Sequence, residues 1–288
     1  MIVTHIGLSN IDSNRTSYET DLITLVLDKT RDEYGDYQLQ GAPPDMTQAR
    51  ALQSMREHRF PNHIMILGFN GKMATDKEIA YVRFPTLLGI VGYRTCFTSP
   101  EMASIVDKAN SLDDIRHLRH GQGVAWVDVG ILRHNDFTVK EIANYDSLFK
   151  MTAANRLDVF CRGAHEILIE HRRLHQFPGL TYDQHSALYY PMPMLFFTHK
   201  KNKEIIARLE LGLNRAYADG SLFAVWRKHF EESINFINMP KRRVFLLENP
   251  NLRHLDFDYE KYFIPELRAL GSQPDHLSES VTHMEPLS

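Results

Sequence analysis

One stretch constrains the fold more than any other: Leu87-Leu-Gly-Ile-Val-Gly-Tyr-Arg-Thr-Cys-Phe-Thr-Ser99. It is apolar and rich in β-branched and aromatic residues, and only Gly89 and Gly92 break it. Such a run reads as a buried strand with local weak points. About a hundred residues later comes a partner, Tyr189-Tyr-Pro-Met-Pro-Met-Leu-Phe-Phe-Thr198. Its two prolines exclude helix, so it too is extended. Between the two runs lies a block with its own alternation of strands and helices. The arrangement predicts two lobes joined by two extended crossings, with a ligand cleft between the lobes.

The length of 288 residues is ample for two cores. Apolar content of 43% and charged content of 24% are globular values, and a net charge of −3 supplies no field that would recruit nucleic acid. No run approaches the ~20 apolar residues of a membrane span. The two cysteines, Cys96 and Cys161, are too few for a disulfide framework or a four-cysteine zinc site. Buried free thiols are the expectation for them, with pairing left open. Met1-Ile-Val-Thr-His5 reads directly as a strand and not as a leader.

Along the chain, Ile2 to Leu8 alternates as a half-buried strand. A polar loop from Ser9 to Arg15 leads to Thr16-Ser-Tyr-Glu19, whose capping-box form predicts a helix to about Glu33. Tyr37 to Gly41 is a strand; Asp45 with Gln48 opens a helix to about Arg56; His63 to Leu67 is a third strand. This order predicts a mostly parallel sheet. The middle block repeats it: a capping box at Ser111-Leu-Asp-Asp114, a turn at His120-Gly-Gln-Gly123, and a helix capped by Asn144. A strand Leu157 to Cys161 follows, and then a helix opened by Gly163. Asn202 and Ser221 cap two further helices separated by Gly220, and Val244 to Leu247 is one extra strand. The last seventeen or so residues read as a disordered tail.

At this point the residues resemble a known superfamily, the type 2 periplasmic solute-binding proteins, in particular the amino-acid-binding branch of ABC transporter receptors. The segment from Leu213 to Phe230, with its Asp219-Gly220-Ser221 junction, is similar to that family's two terminal helices. Ser111-Leu-Asp-Asp-Ile115 is similar to its entry into the second lobe, and Asn155-Arg-Leu-Asp-Val159 to a "G-R-x-D-A" strand. The match runs over roughly residues 2–232. It implies an α/β fold with lobe 1 formed by 1–95 and 191–240 and lobe 2 by 96–190. Residues 241–271 are then an extension packed on lobe 1, and 272–288 the tail. It also implies hinge closure on a small-molecule ligand, a periplasmic location, a monomer, and an ABC permease as a further partner, with no cofactor, no nucleic acid and no membrane span.

Two departures bear on the ligand. Glu78 falls where the family's carboxylate-gripping Arg is expected, and Cys161-Arg162-Gly163 where its ammonium-gripping Asp is expected. The predicted ligand is therefore small and polar but not a standard α-amino acid. In lobe 2 the candidates are Gln122, Gly123, Trp126 and Asp128 on the glycine turn, whose backbone N–H groups would suit an anionic or carbonyl group. Arg162 is either a site cation or the salt-bridge partner of Glu166. In lobe 1 the candidates are Arg15 and Tyr18 after the first strand, Phe69 and Asn70 after the third, and Glu78. The histidine pairs His117/His120 and His171/His175 lack a completing ligand for a metal. No catalytic constellation is present. The alternative reading is a cyclohexadienyl dehydratase-like lyase using Glu78, Glu166 or Asp128; a third is an effector-binding module of a regulator or kinase.

Overall fold

The computed structural model describes residues 1–5, 13–43 and 46–271. The expectations for Ile6 to Leu8, Ser9, Asn10, the Asp45 helix start and the tail 272–288 lie outside the described residues. The twelve strands among the described residues are β1 (Ile2–His5), β2 (Gln38–Gly41), β3 (His63–Gly68), β4 (Ile79–Tyr81), β5 (Tyr93–Thr98) and β6 (His120–Gly123), then β7 (Val139–Ile142), β8 (Val159–Gly163), β9 (Thr181–Tyr182), β10 (Ser186–Tyr189), β11 (Met194–His199) and β12 (Arg243–Leu246). They form two sheets, ordered β2-β1-β3-β11-β4 and β12-β10-β5-β8-β6-β7, with β9 paired to β5. The chain divides into two compact units: Met1–Leu87 with Met194–Glu231 and His254–Tyr259, and Leu88–Pro193 with Glu232–Arg253 and Glu260–Ser288.

In the first unit β1, β2 and β3 run parallel, and β11 is antiparallel to both β3 and β4. The all-buried run Met194–His199 fits a strand flanked on both sides. One core cluster of this unit joins Met65, Leu67, Phe69, Leu195 and Phe197 to Ala51 and Met55 of the helix Gln48–Arg56. That helix is capped by Thr47, whose side chain accepts from the Arg50 amide. The first helix starts at Ser13, so the Thr16–Glu19 signature lies inside it, and it ends at Asp28, earlier than the apolar spacing predicts. The early stop has a cause. Buried Arg208 donates to the carbonyls of Leu27 and Gly35 and to the Thr30 hydroxyl, placing a cation at the helix C-terminus. Trp226 is buried on this unit's packed helix face, with Nε1 donating to the Leu87 carbonyl at 3.2 Å.

In the second unit the run from Leu87 is not one strand. Leu88 and Gly89 take left-handed backbone (φ 50° and 87°), a turn of 3-10 helix covers Ile90–Gly92, and the strand begins only at Tyr93. The two glycines answer to close neighbours. A Cβ on Gly89 would lie 2.5 Å from the Phe263 ring, and one on Gly92 would lie 2.2 Å from the Tyr190 carbonyl oxygen. Strands β6, β7 and β8 are parallel, β5 is antiparallel to β8 and to β10, and β12 is parallel to β10. Of the segment 241–271, expected against lobe 1, His254–Tyr259 belongs to the first unit, with Leu255 and Phe257 on its core, whereas Arg243–Leu246 supplies a strand to the second sheet. Buried Arg242 fixes it there by donating to the carbonyls of Ile237, Asp183 and Ser186. The capping box at Ser111 and Asp114 forms as the sequence predicts, and Asn144 caps the helix Tyr145–Ala153.

Cys96 and Cys161 are bonded to each other, which corrects the expectation of free thiols. They lie directly opposite on β5 and β8, a relation that follows from strand register and not from sequence spacing. The bridge spans a separation of 65 residues, for which loop-closure entropy alone amounts to about 4 kcal/mol. Replacing both residues by alanine should lower unfolding free energy by about 2–4 kcal/mol in urea titration. An unchanged midpoint would mean that the bridge closes little that the sheet does not already close.

Candidate functional site

The carboxyl ends of β6, β8 and β10 and the amino end of β5 lie along one edge of the second sheet. Open α/β sheets bind ligands at that kind of edge. It carries Arg94 on β5, Gly123 at the end of β6, Trp126 and Asp128 just beyond it, Arg162 and Gly163 at the end of β8, and Tyr190 after β10. Four of the five lobe 2 candidates thus come together in one charged and aromatic cluster, and Gln122 is buried beside Gly123.

Strand alternation sorts the cluster onto two faces. Arg94 shares the face of the disulfide and points across Gly163, where a Cβ would lie 3.2 Å from its Nη1. It reaches Asp128 on the far side, with Nη2 to Oδ1 at 2.8 Å. The Tyr190 hydroxyl donates to the same carboxylate oxygen at 2.5 Å, and the Tyr190 ring lies under the guanidinium at 5.4 Å. Arg162 occupies the opposite face. Its guanidinium lies 4.8 Å from the Trp126 ring and 5.5 Å from that of Tyr145, and it pairs with Glu166 at 2.6 Å and Glu170 at 2.8 Å. Glu166 also comes within 4.0 Å of Arg94, which ties the two faces together around the end of β8.

Two of the lobe 2 expectations change in detail. Gly123 does not chiefly release N–H groups: a Cβ there would lie 2.3 Å from the half-buried Trp126 ring, so the glycine makes room for the indole. Asp128 sits in the first turn of the helix Val127–His134 with its carboxylate engaged, so the positive helix end already faces a negative charge and does not suit an anion. Arg162 lies at the edge and forms the expected pair with Glu166.

The lobe 1 candidates fare differently. Tyr18 is buried, its hydroxyl donates to the Thr86 carbonyl at 2.5 Å, and its ring packs 4.6 Å from Phe230; burial pushes the phenol up. Phe69 is a core residue. Asn70, after β3, caps the short helix Gly71–Ala74 by accepting from the Met73 amide at 3.1 Å. Arg15 is in the first helix, and its side chain lies outside the described residues. Glu78 is not at the carboxyl edge at all. The register His199↔Ile79 against Met194↔Gly68 puts it at the opposite edge. There Lys200 (2.9 Å) and His199 (3.2 Å) hold its carboxyl below the usual range. It carries no information about ligand charge.

Arg94, Tyr190 and Glu170 join this cluster without having been singled out in the sequence. A signal for Arg94 existed, since it is the single charge inside the apolar run from Leu87 to Phe97. Buried charges are paired. His120 is buried with Nε2 3.0 Å from the Ile115 carbonyl, and desolvation pushes it down to about 4. Among the described residues no group of three or more His, Cys, Asp or Glu could hold a metal ion.

Several solved structures share this architecture. The periplasmic VFT2 domain of BvgS from Bordetella pertussis aligns with a TM-score of 0.58 at 15% identity, covering 80% of this chain and 92% of that one. An ancestral arginine-binding protein bound to arginine gives 0.56 at 14% identity, covering 80% and 97%. A periplasmic His/Glu/Gln/Arg/opine family-binding protein from Silicibacter pomeroyi, in complex with lysine, gives 0.54 at 11% identity, covering 80% and 97%. The chain has the type 2 solute-binding-protein fold. No family model matches the sequence, and no curated protein matches it.

Burial pushes the Glu170 carboxyl up to about 7, against the pull of Arg162. A carboxyl raised in the folded state favours folding while protonated. Its contribution is full below the ordinary value of 4.5 and is lost as pH rises toward about 7. Glu170→Gln should remove that slope from the stability–pH curve measured by urea unfolding. Arg162→Ala should cost about 3–5 kcal/mol, because it removes the cation shared by buried Glu170 and half-buried Glu166. A loss under 1 kcal/mol would show the pair to be solvated.

Proposed function

We propose that the chain is a non-enzymatic, extracytoplasmic solute-binding protein that takes a small polar ligand other than a standard α-amino acid. The observation that carries this reading is the gathering of Arg94, Trp126, Asp128, Arg162 and Glu166 at the ligand-type edge of a sheet in a solute-binding fold. The disulfide supports an oxidising compartment. Hinge closure on the ligand, a monomeric state and service to an ABC permease in uptake or to a sensor belong to the same proposal. The carboxylates that a lyase would use are each held by a cation of the chain: Asp128 by Arg94, Glu166 by Arg162, Glu78 by Lys200.

The exclusion of α-amino acids rests on the second unit. Both guanidiniums at its edge are engaged by the chain's own carboxylates, and the helix end at Val127 faces Asp128. An incoming α-carboxylate would meet like charge there. None of the twenty standard amino acids should therefore stabilise the protein in a thermal scan. A true ligand at a hundred times its Kd adds about 2.7 kcal/mol, roughly 5–10 °C for a chain of this size. A rise of that order with glutamine or arginine would overturn the exclusion. Trp126→Phe should remove most of the ligand-induced fluorescence change, whereas Trp226→Phe should leave it in place.

A further inference from the structure

Among the described residues, carboxylates outnumber guanidiniums at the edge of the second sheet. Arg94 and Arg162 bring two positive charges; Asp128, Glu166 and Glu170 bring three negative ones when ionised. One oxygen of Glu170 accepts from Arg162 Nε at 2.8 Å and from the Tyr145 hydroxyl, while its Oε2 is buried without a hydrogen-bond partner. His165 lies beside Glu166, with Nε2 3.9 Å from its Oε2. The site already shows what it accommodates. A guanidinium, that of Arg162, rests against the faces of Trp126, Tyr145 and Phe160 at 4.8, 5.5 and 5.6 Å with carboxylates beside it.

Resting on the solute-binding reading, we propose that the ligand at this edge is a small organic monocation of the amine or guanidine type, without a carboxylate of its own. Such a ligand adds a positive charge to a group with more carboxylates than guanidiniums, shares Glu166 and Glu170 with Arg162, and avoids the repulsion that Asp128 and Glu166 impose on an anion. Without it, the surplus charge is removed by a proton on Glu170, whose burial pushes it up to about 7. Cation binding then ionises Glu170 and releases that proton to the buffer, so affinity rises as pH increases through 7.

Titration calorimetry of the whole protein at pH 7 with butylamine, butylguanidine and choline, each in two buffers of different ionisation enthalpy, tests this. Arginine, glucose and citrate serve as comparators. The expected result is saturable binding of at least one cation, with proton release. Glu170→Gln, which keeps an acceptor for Arg162 and Tyr145, should weaken binding by at least about tenfold and abolish the release. His165→Gln should leave both in place. If none of the three cations binds, or if Glu170→Gln binds them as the parent does, the inference is overturned. Release abolished only by His165→Gln would overturn the assignment to Glu170. Saturable binding of glucose or citrate in place of the cations would overturn the ligand class while leaving the solute-binding reading intact.

Discussion

Burying a guanidinium costs several kcal/mol unless acceptors of good geometry stand beside it; the second unit buries Arg242 among backbone carbonyls, and Arg94 and Arg162 among carboxylates. Much of its local structure follows from that constraint. Arg94 and Arg162 project from opposite faces of the same pair of strands, so each needs its own counter-ion, and Glu166 serves both by sitting at the end of β8. Glycines stand where the guanidiniums and their rings must pass. Gly163 lets Arg94 cross β8 to Asp128, and Gly123 lets the Trp126 indole lie flat beside Arg162. Tyr145 and Tyr190 donate to the carboxylates. Replacing any one of these changes the surroundings of the rest, so their effects should not add.

Much of the fold was legible in the sequence because its signals are local. Capping at Ser111 and Asn144, the stop at Gly220 and the two apolar runs each rest on neighbours within a few residues. The errors came where a distant residue decides. The first helix ends at Asp28, where Arg208, some 180 residues later, takes the Leu27 carbonyl. The run from Leu87 breaks at Gly89 because the Phe263 ring fills the space there. Arg243–Leu246 looked like part of an appendage because parallel pairing of β12 with β10 leaves no mark in the intervening sequence.

The site was legible on one sheet only. Trp126 and Asp128 follow a strand that runs into the edge and Arg162 lies at the end of one, and a motif with a strand beside it fixes such a position. Glu78 misled because it precedes its strand, and β4 runs in the direction of β3, so a residue before it lies at the opposite end of the sheet. Tyr18 and Phe69 follow strands as the rule requires, yet they are apolar enough to be drawn into the core. Position after a strand therefore selects the right edge, and side-chain polarity decides whether the residue stays there.

A single register holds the cluster in place. Cys96 opposite Cys161 means Thr95 opposite Arg162 and Arg94 opposite Gly163. Slipping β5 by one residue would send Arg94 into the face occupied by Phe97 and Phe160, and it would set Arg162 against a different neighbour with no carboxylate gained. Hydrophobic patterning on its own defends that register weakly, because β5 is buried on both faces and either face accepts apolar side chains. The disulfide removes the ambiguity covalently. Its two sulfurs meet only in the pairing that also puts Arg94 over the one residue of β8 with no side chain to obstruct it. The bridge thus stabilises the unit, and it also selects the strand alignment in which the buried charges find their partners.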